Sequence, residues 1–205
     1  MYKYPNTTIL VFCKAPIAGT VKTRLMPHLN GQAAADIHIE LSQRTLALLL
    51  KAQLCPIQLW CYPDKEHSFF NDCVVKYNVT LYEQKGSDLG ERMLFAITHA
   101  LQQSPRVLLL GCDSPSLIAK DLDLAISSLQ TQQDIVVAPA EDGGYVMIGM
   151  KQAYPELFLN MKWGHNRVLS HTHEKIKQLG LNVTETKQQW DVDDINDLNR
   201  YKNSE

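Results

Sequence analysis

An α/β fold, with a mostly parallel sheet covered by helices on both faces, is what this 205-residue chain predicts. Three observations carry that prediction. Short runs rich in β-branched and aliphatic residues alternate with helical segments, the order of successive strand–helix–strand units. One run, Val107 to Leu110, is aliphatic throughout, the pattern of a strand buried on both faces. The hydrophobic fraction of 45% and charged fraction of 20% are ordinary for a globular protein, and the length suits one domain spanning residues 1–205.

The elements follow in order. Thr8 to Cys13 is a strand by its β-branched and aromatic content. Asn30 and Gly31 open a helix that runs to about Ala52, with Ile37, Leu41 and Leu48 on an inward face and late leucines that suggest burial on more than one side. Pro56 to Tyr62 is a strand, His67 to Cys73 a short helix, and Val79 to Tyr82 a third strand. Asp88 to Gln103 is a stronger helix: Leu89, Met93, Ile97 and Leu101 recur every fourth residue, and Asp88 is an N-cap with Glu91 three residues on. After the Val107 strand come a helix over Asp121 to Thr131 and strands over Ile135 to Ala138 and Tyr145 to Met150. Asn166 to Gln178 is helix, Leu181 to Thr186 strand, and Ile195 to Tyr201 a last helix. The C-terminal third is expected to add a small antiparallel element.

Bulk properties exclude several classes. A formal net charge of −2 provides no global field for nucleic acid. No apolar run approaches the roughly 20 residues of a membrane span, and MYKYPNTTIL has no apolar signal core. Five cysteines without C-x-x-C spacing read as reduced, mostly buried thiols of a cytoplasmic protein, not as a zinc or redox motif. Seven histidines without paired spacing argue against a histidine metal site.

The segment VFCKAPIAGTVKTR carries the most chemistry. The strand ending near Phe12 runs straight into a loop holding Lys14, Gly19, Lys22 and Arg24. Cations and a flexible glycine at a strand's release point suit an anionic ligand, above all a nucleotide pyrophosphate, because amides and side-chain donors converge on phosphate oxygens. The spacing is not that of the ATPase P-loop. A solvated basic loop is the plain reading of the same residues.

Three acidic clusters accompany it. Gly111-Cys112-Asp113-Ser114-Pro115 leaves the carboxyl end of the most buried strand, where parallel sheets place their ligands. Asp113 there either binds Mg²⁺ or Mn²⁺ bridging to phosphate, or closes an Asx turn or caps the next helix. Glu141 and Asp142 crowd an Asp-Gly turn with Tyr145; a carboxylate there is a candidate general base, although a tight hairpin alone explains Asp-Gly. Asp191-Val192-Asp193-Asp194 packs like charges that need solvent, a cation or a helix N-terminus. Near Asp88, the helix start can aim amides at an anion or ribose. Cys112 reads as packing, and His165 has no evident local partner.

Taken together, the motifs resemble the GT-A fold of nucleotide-diphospho-sugar transferases, and more narrowly the DUF2064 group of glycosyltransferase-like proteins. The matching stretches are K-A-P-x-A-G-x-V-K-T-R-L at Lys14 to Leu25, G-x-D-L-G-E-R-M at Gly86 to Met93 and G-C-D-S-P at Gly111 to Pro115. To these are added P-A-E-D-G-G-Y at Pro139 to Tyr145 and D-V-D-D at Asp191 to Asp194. The first loop is also similar to that of phospholactate guanylyltransferases and, more distantly, of molybdopterin guanylyltransferases.

The resemblance implies a Rossmann-like three-layer α/β/α sandwich with a mostly parallel mixed sheet. It implies that the Lys14 to Arg24 loop cradles phosphates, that Asp88 and Leu89 lie near base or ribose, and that Asp113 binds the metal. The family fold usually carries D-x-D where this chain has D-S-P, so Asp191 and Asp193 are the candidates for further ligands. Gly164 and His165 stand where the family has small hydroxyl residues after the tryptophan.

The implied function is metal-dependent transfer from a nucleotide or nucleotide-sugar donor to a small-molecule acceptor, glycosyl transfer first. Nucleotidyl transfer releasing pyrophosphate, or nucleotide binding without turnover, are the other readings. An exposed sheet edge leaves a homodimer open.

Overall fold

The computed structural model describes residues 1–204. Seven strands form one sheet: β1 (Thr7–Lys14), β2 (Ile57–Tyr62), β3 (Thr80–Glu83), β4 (Arg106–Leu110), β5 (Ile135–Pro139), β6 (Tyr145–Met150) and β7 (Val183–Glu185). Their spatial order is β3-β2-β1-β4-β6-β5-β7. β1, β2, β3 and β4 are parallel, β6 is antiparallel to both neighbours, and β7 returns parallel to β5. The sheet is thus mostly parallel, with a single reversed strand. That strand is the antiparallel element expected of the C-terminal third, set inside the sheet and not beyond it.

The helices are α1 (Gly31–Ala52), α2 (Ser68–Tyr77), α3 (Leu89–Leu101), α4 (Ala119–Ser128), α5 (Pro155–Phe158), α6 (Val168–Gln178) and α7 (Ile195–Lys202). Period-2 alternation sends the two sides of each strand to different layers. Ile9 and Val11 of β1, with Leu108 and Leu110 of β4, pack against Leu46, Phe70 and Leu122 of α1, α2 and α4. Leu10, Val107 and Leu109 face the other way, against Met93 and Ile97 of α3, Phe158 of α5 and Ile176 of α6. Each such fully buried aliphatic or aromatic side chain contributes roughly 1.5–3 kcal/mol. A third cluster joins α7 to α1: Leu198 and Tyr201 pack with Leu25, Ala34, Leu41 and Val192. It explains why α1 is buried on two sides.

Local chemistry fixes the helix starts. The Asn30 side chain accepts a hydrogen bond from the Ala33 amide at 2.8 Å, and Asp88 does the same for Glu91 at 2.8 Å. Asp194 and Asp197 form a reciprocal capping box on α7.

The strand order reverses direction at β1, which lies between β2 and β4. The loops leaving β1 and β4 therefore part to opposite sides and open a crevice at their carboxyl ends. Among the described residues, no helix is long and apolar enough to cross a membrane.

Candidate active site

A crevice of about 460 Å³ opens at that switch point. Its walls combine the loop after β1, the loop after β4, the β5–β6 turn, the first turns of α3, and the segments around Trp163 and Asp191. Lys14, Lys22, Arg24, Asp113, Asp142, Tyr145, Asp191 and Asp193 all line it, as does Leu89. Sequence positions separated by most of the chain thus share one cavity.

Lys22 organises the acidic side. Its backbone is left-handed (φ 48°), which turns the side chain inward at the start of the short 3-10 turn Thr23–Leu25. The Lys22 ammonium donates to Asp113 Oδ2 at 2.7 Å and to the Val192 carbonyl at 2.8 Å, and lies 3.8 Å from Asp193 Oδ1. Its side chain is only 4% exposed. Burial draws the ammonium pKa down, but the Asp113 carboxylate outweighs burial and the net direction is up. For Asp113, burial pushes up while the charges of Lys22 and His38 pull down further, so its carboxyl sits well below the usual range. Lys22 is therefore a buried counter-ion that ties Asp113 to the Asp191–Asp193 segment, where the sequence suggested a direct phosphate donor. The Val192 amide donates to the Asp113 carbonyl at 3.1 Å and closes the same junction.

Arg24 stands at the mouth with a side chain 67% exposed, and its Nη1 donates to Asp193 Oδ2 at 3.0 Å. Lys14 lines the crevice and its own side chain is exposed to solvent. Gly19 lies behind the lining; its φ of 86° shapes the loop, and a Cβ on Gly31 would come within 3.0 Å of its amide.

The two candidate bases separate cleanly. Asp142 lines the crevice, and its Oδ1 accepts from the Gly144 amide at 2.9 Å in the Asx turn of the β5–β6 hairpin. Glu141, one residue earlier, points outward. It makes a two-point ion pair with Arg200 of α7, at 2.7 and 3.1 Å, and Arg200 stacks over Trp190 at 4.2 Å. Glu141 pins α7 to the hairpin.

Asp88 caps α3 behind the wall, while Leu89 reaches the cavity. One turn on, Arg92 also reaches it, stacked over the Tyr62 ring at 4.5 Å. Arg92 and Tyr62 were missed in the sequence. The helical spacing of Leu89 and Arg92 was the available signal, since residues three apart share a face. Trp163 was missed too. It lies edge-on to Tyr145 at 6.5 Å and closes over the start of α3, where a Cβ on Gly90 would strike its Nε1 at 2.6 Å.

The acidic side offers the oxygen donors that a hard divalent cation takes, but Asp113, Asp191 and Asp193 do not form a set with ligand atoms all within 4.8 Å of one another among the described residues. The Lys22 ammonium already shows that Asp113 and Asp193 face a common positive charge. Asp191 makes no hydrogen bond or ion pair among the described residues. Burial, and then the nearby Asp113 carboxylate, push its pKa up to about 8. Burial also raises Asp193. Mutual repulsion among such carboxylates is what Mg²⁺ or Mn²⁺ would relieve.

Fold and crevice together define an enzyme class, the transferases of the nucleotide-diphospho-sugar fold. The family model of DUF2064, described as an uncharacterized protein conserved in bacteria, matches residues 45–165. The chain belongs to the DUF2064 family. It is 30% identical to a candidate nucleotide-diphospho-sugar transferase of known structure from Desulfovibrio desulfuricans G20, with a TM-score of 0.87 over 98% of this chain and 87% of that one. Two further structures share the fold. The 4-diphosphocytidyl-2C-methyl-D-erythritol synthase of Anaerococcus prevotii DSM 20548 is 15% identical, with a TM-score of 0.61 over 97% of this chain and 97% of that one. The inositol-1-phosphate CTP transferase of T. maritima is 14% identical, with a TM-score of 0.61 over 100% of this chain and 96% of that one. No curated protein matches.

Proposed function

We propose that the protein transfers a sugar from a nucleotide sugar to the hydroxyl of a small acceptor. The observation that carries this reading is the convergence of Arg24, Lys22, Asp113, Asp191 and Asp193 on one crevice at the sheet's switch point. The likeness to the Desulfovibrio protein, through its description, supports the sugar donor.

Asp191 and Asp193, beside Asp113, hold a divalent cation in this reading. Bound there, Mg²⁺ or Mn²⁺ supplies Lewis-acid neutralisation of the donor diphosphate. Arg24 and Lys14 add donors at the mouth, where the leaving diphosphate gathers charge. In an inverting transfer the acceptor oxygen bonds to the anomeric carbon, the bond from that carbon to the diphosphate breaks, and Asp142 takes the hydroxyl proton. Trp163, Tyr145 and Leu89 provide an apolar wall that excludes water from the same space.

Nucleotidyl transfer to a phosphorylated acceptor is the second reading. It is favoured by Arg92, an additional cation on the far wall that suits a third phosphate or an acceptor phosphate. It also agrees with the activities named for the two fold relatives from A. prevotii and T. maritima.

One set of incubations separates the two. With Mn²⁺, a nucleotide sugar that yields nucleoside diphosphate and glycosylated acceptor supports sugar transfer. A nucleoside triphosphate that yields pyrophosphate supports nucleotidyl transfer. Release of neither product across a broad panel, with nucleotide still bound, overturns both.

A further inference from the structure

A second cluster lies under the acidic one, and the transferase reading does not use it. Cys13 is the next-to-last residue of β1, Cys112 follows β4, and His38 comes from α1. β1 and β4 are adjacent and in register, Val11 opposite Leu110, so the two cysteines emerge side by side at the switch point. One ligand atom from each of the three residues lies within 4.8 Å of the others, and among the described residues they are the only such group. All three are buried, at 2%, 4% and 2% exposure for Cys13, His38 and Cys112. All three nevertheless border the crevice floor, so an ion has a route to them.

We propose that Cys13, Cys112 and His38 form a zinc site in the crevice floor, with its fourth coordination position open to the cavity.

The geometry is close to what the ion requires. Tetrahedral zinc with Zn–S of about 2.3 Å and Zn–N of about 2.0–2.1 Å sets sulfur and nitrogen roughly 3.6 Å apart. Cys13 Sγ and His38 Nε2 are 3.8 Å apart. The site is also braced. Ser42 Oγ lies 3.5 Å from Cys13 Sγ and donates to the backbone carbonyl of His38 at 2.7 Å, so its hydroxyl ties the Cys13 thiol to the turn of α1 that carries His38. His38 Nε2 now sits 2.9 Å from the Lys14 carbonyl, and Cys112 Sγ donates to Asp113 Oδ1 at 3.2 Å. Zinc entry exchanges these contacts for two thiolate bonds and one imidazole bond; two thiol protons pass to solvent, and the imidazole proton that faces the Lys14 carbonyl moves from Nε2 to Nδ1.

Ligand chemistry keeps this site apart from the carboxylates above it. Two sulfurs and a nitrogen select zinc over magnesium, whereas the all-oxygen aspartate set selects the hard ion. The remaining cysteines lack such company. Cys55, Cys61 and Cys73 lie in the apolar core, and burial pushes each thiol up, Cys55 and Cys73 to about 12. Cys13 moves the opposite way, through its hydrogen bond with Cys112 and the adjacent His38, while its partner Cys112 is raised, by that same bond and by burial.

The test uses the whole protein, stripped with chelator, and cobalt as an optical probe. Co²⁺ added to the wild type in millimolar Mg²⁺, without nucleotide, should give a near-ultraviolet thiolate-to-cobalt band that saturates at one equivalent. One equivalent of Zn²⁺ should abolish it. Cys13→Ser and Cys112→Ser should each weaken zinc binding by more than the roughly 10–100-fold that an outer-shell loss costs, while Cys73→Ser should not. A wild-type cobalt spectrum without a thiolate band overturns the proposal, whatever the variants do. So does a band in folded Cys13→Ser that matches the wild type in intensity and in the cobalt concentration at which it saturates. Neither result bears on the sugar-transfer reading, which the nucleotide incubations decide separately.

Discussion

Lys22 Nζ and Asp113 Oδ2 lie 2.7 Å apart although 91 residues separate them in the chain. The contact joins the loop after β1 to the loop after β4, and through the Val192 carbonyl it draws in the segment that carries Asp191 and Asp193. Removing the ammonium leaves the Asp113 carboxylate without its counter-ion. A fully buried pair broken this way loses about 3–5 kcal/mol. Asp113 keeps 36% of its side chain exposed, so Lys22→Met should cost about 2 kcal/mol, read as a lower urea midpoint. Adding Asp113→Asn should recover part of it. A double variant no more stable than the single one contradicts the pairing.

Arg24 differs in kind. With a side chain 67% exposed, its pair with Asp193 should contribute less than ~1 kcal/mol to stability. Arg24→Ala should still weaken nucleotide binding by about 1–3 kcal/mol, the range for hydrogen bonds to charged groups. Calorimetry and thermal melting on one variant check both halves.

Asp191 sets a pH dependence in chelator-treated protein. Burial, with Asp113 beside it, raises its folded pKa to about 8. An acid raised above its unfolded value of about 3.9 binds its proton more tightly when folded. Its contribution is therefore present below about pH 4 and is lost as pH climbs through the folded value. Asp191→Asn should exceed wild type in stability at alkaline pH, by on the order of 2 kcal/mol after allowance for partial exposure, and should converge with it near about pH 4. Urea melts at the two pH values check this; a difference that does not change with pH contradicts it.

Glu141 and Asp142 provide a neighbouring-residue contrast. Asp142→Asn should lose turnover while retaining nucleotide affinity, because Asp142 borders the crevice. Glu141→Gln should leave turnover near wild type and at most loosen α7, because its partner is Arg200 on the outer face. Equal losses from both contradict the assignment of Asp142 as base.

Gly90 and Gly143 hold the Trp163 segment. A Cβ on Gly90 would meet the Phe158 carbonyl and Trp163 Nε1, and one on Gly143, where φ is 87°, would meet the Asn166 carbonyl. Either alanine variant should destabilise by about 1–3 kcal/mol, as overpacking does. It should also shift tryptophan fluorescence; an unmoved spectrum with unchanged stability contradicts the packing.

Much of this was legible because the signals are local. The Asn30 cap, the Asp88 cap and the four-residue recurrence of Met93 and Ile97 reveal α1 and α3 within one or two residues. Strand direction is not local: Val146 to Met150 reads the same in either orientation, so the sequence could not place the reversed β6 between β4 and β5. α5, with four residues, is too short to show a helical period. Glu141 and Asp142 are adjacent in the chain and part only because the Asx turn rotates one carboxylate inward. Cys13, His38 and Cys112 have no motif spacing at all. Only the pairing of β1 with β4, and the packing of α1 on that face, bring them together.

In the proposed reaction one crevice holds donor and divalent cation together through Asp113 and its neighbours. Calorimetric titration of nucleotide sugars and nucleoside triphosphates into wild type and Asp113→Ala, with and without Mn²⁺, tests it most directly. Metal-enhanced binding by the wild type that disappears in a folded Asp113→Ala variant is the predicted result. The same affinity in both proteins with Mn²⁺ present would contradict it.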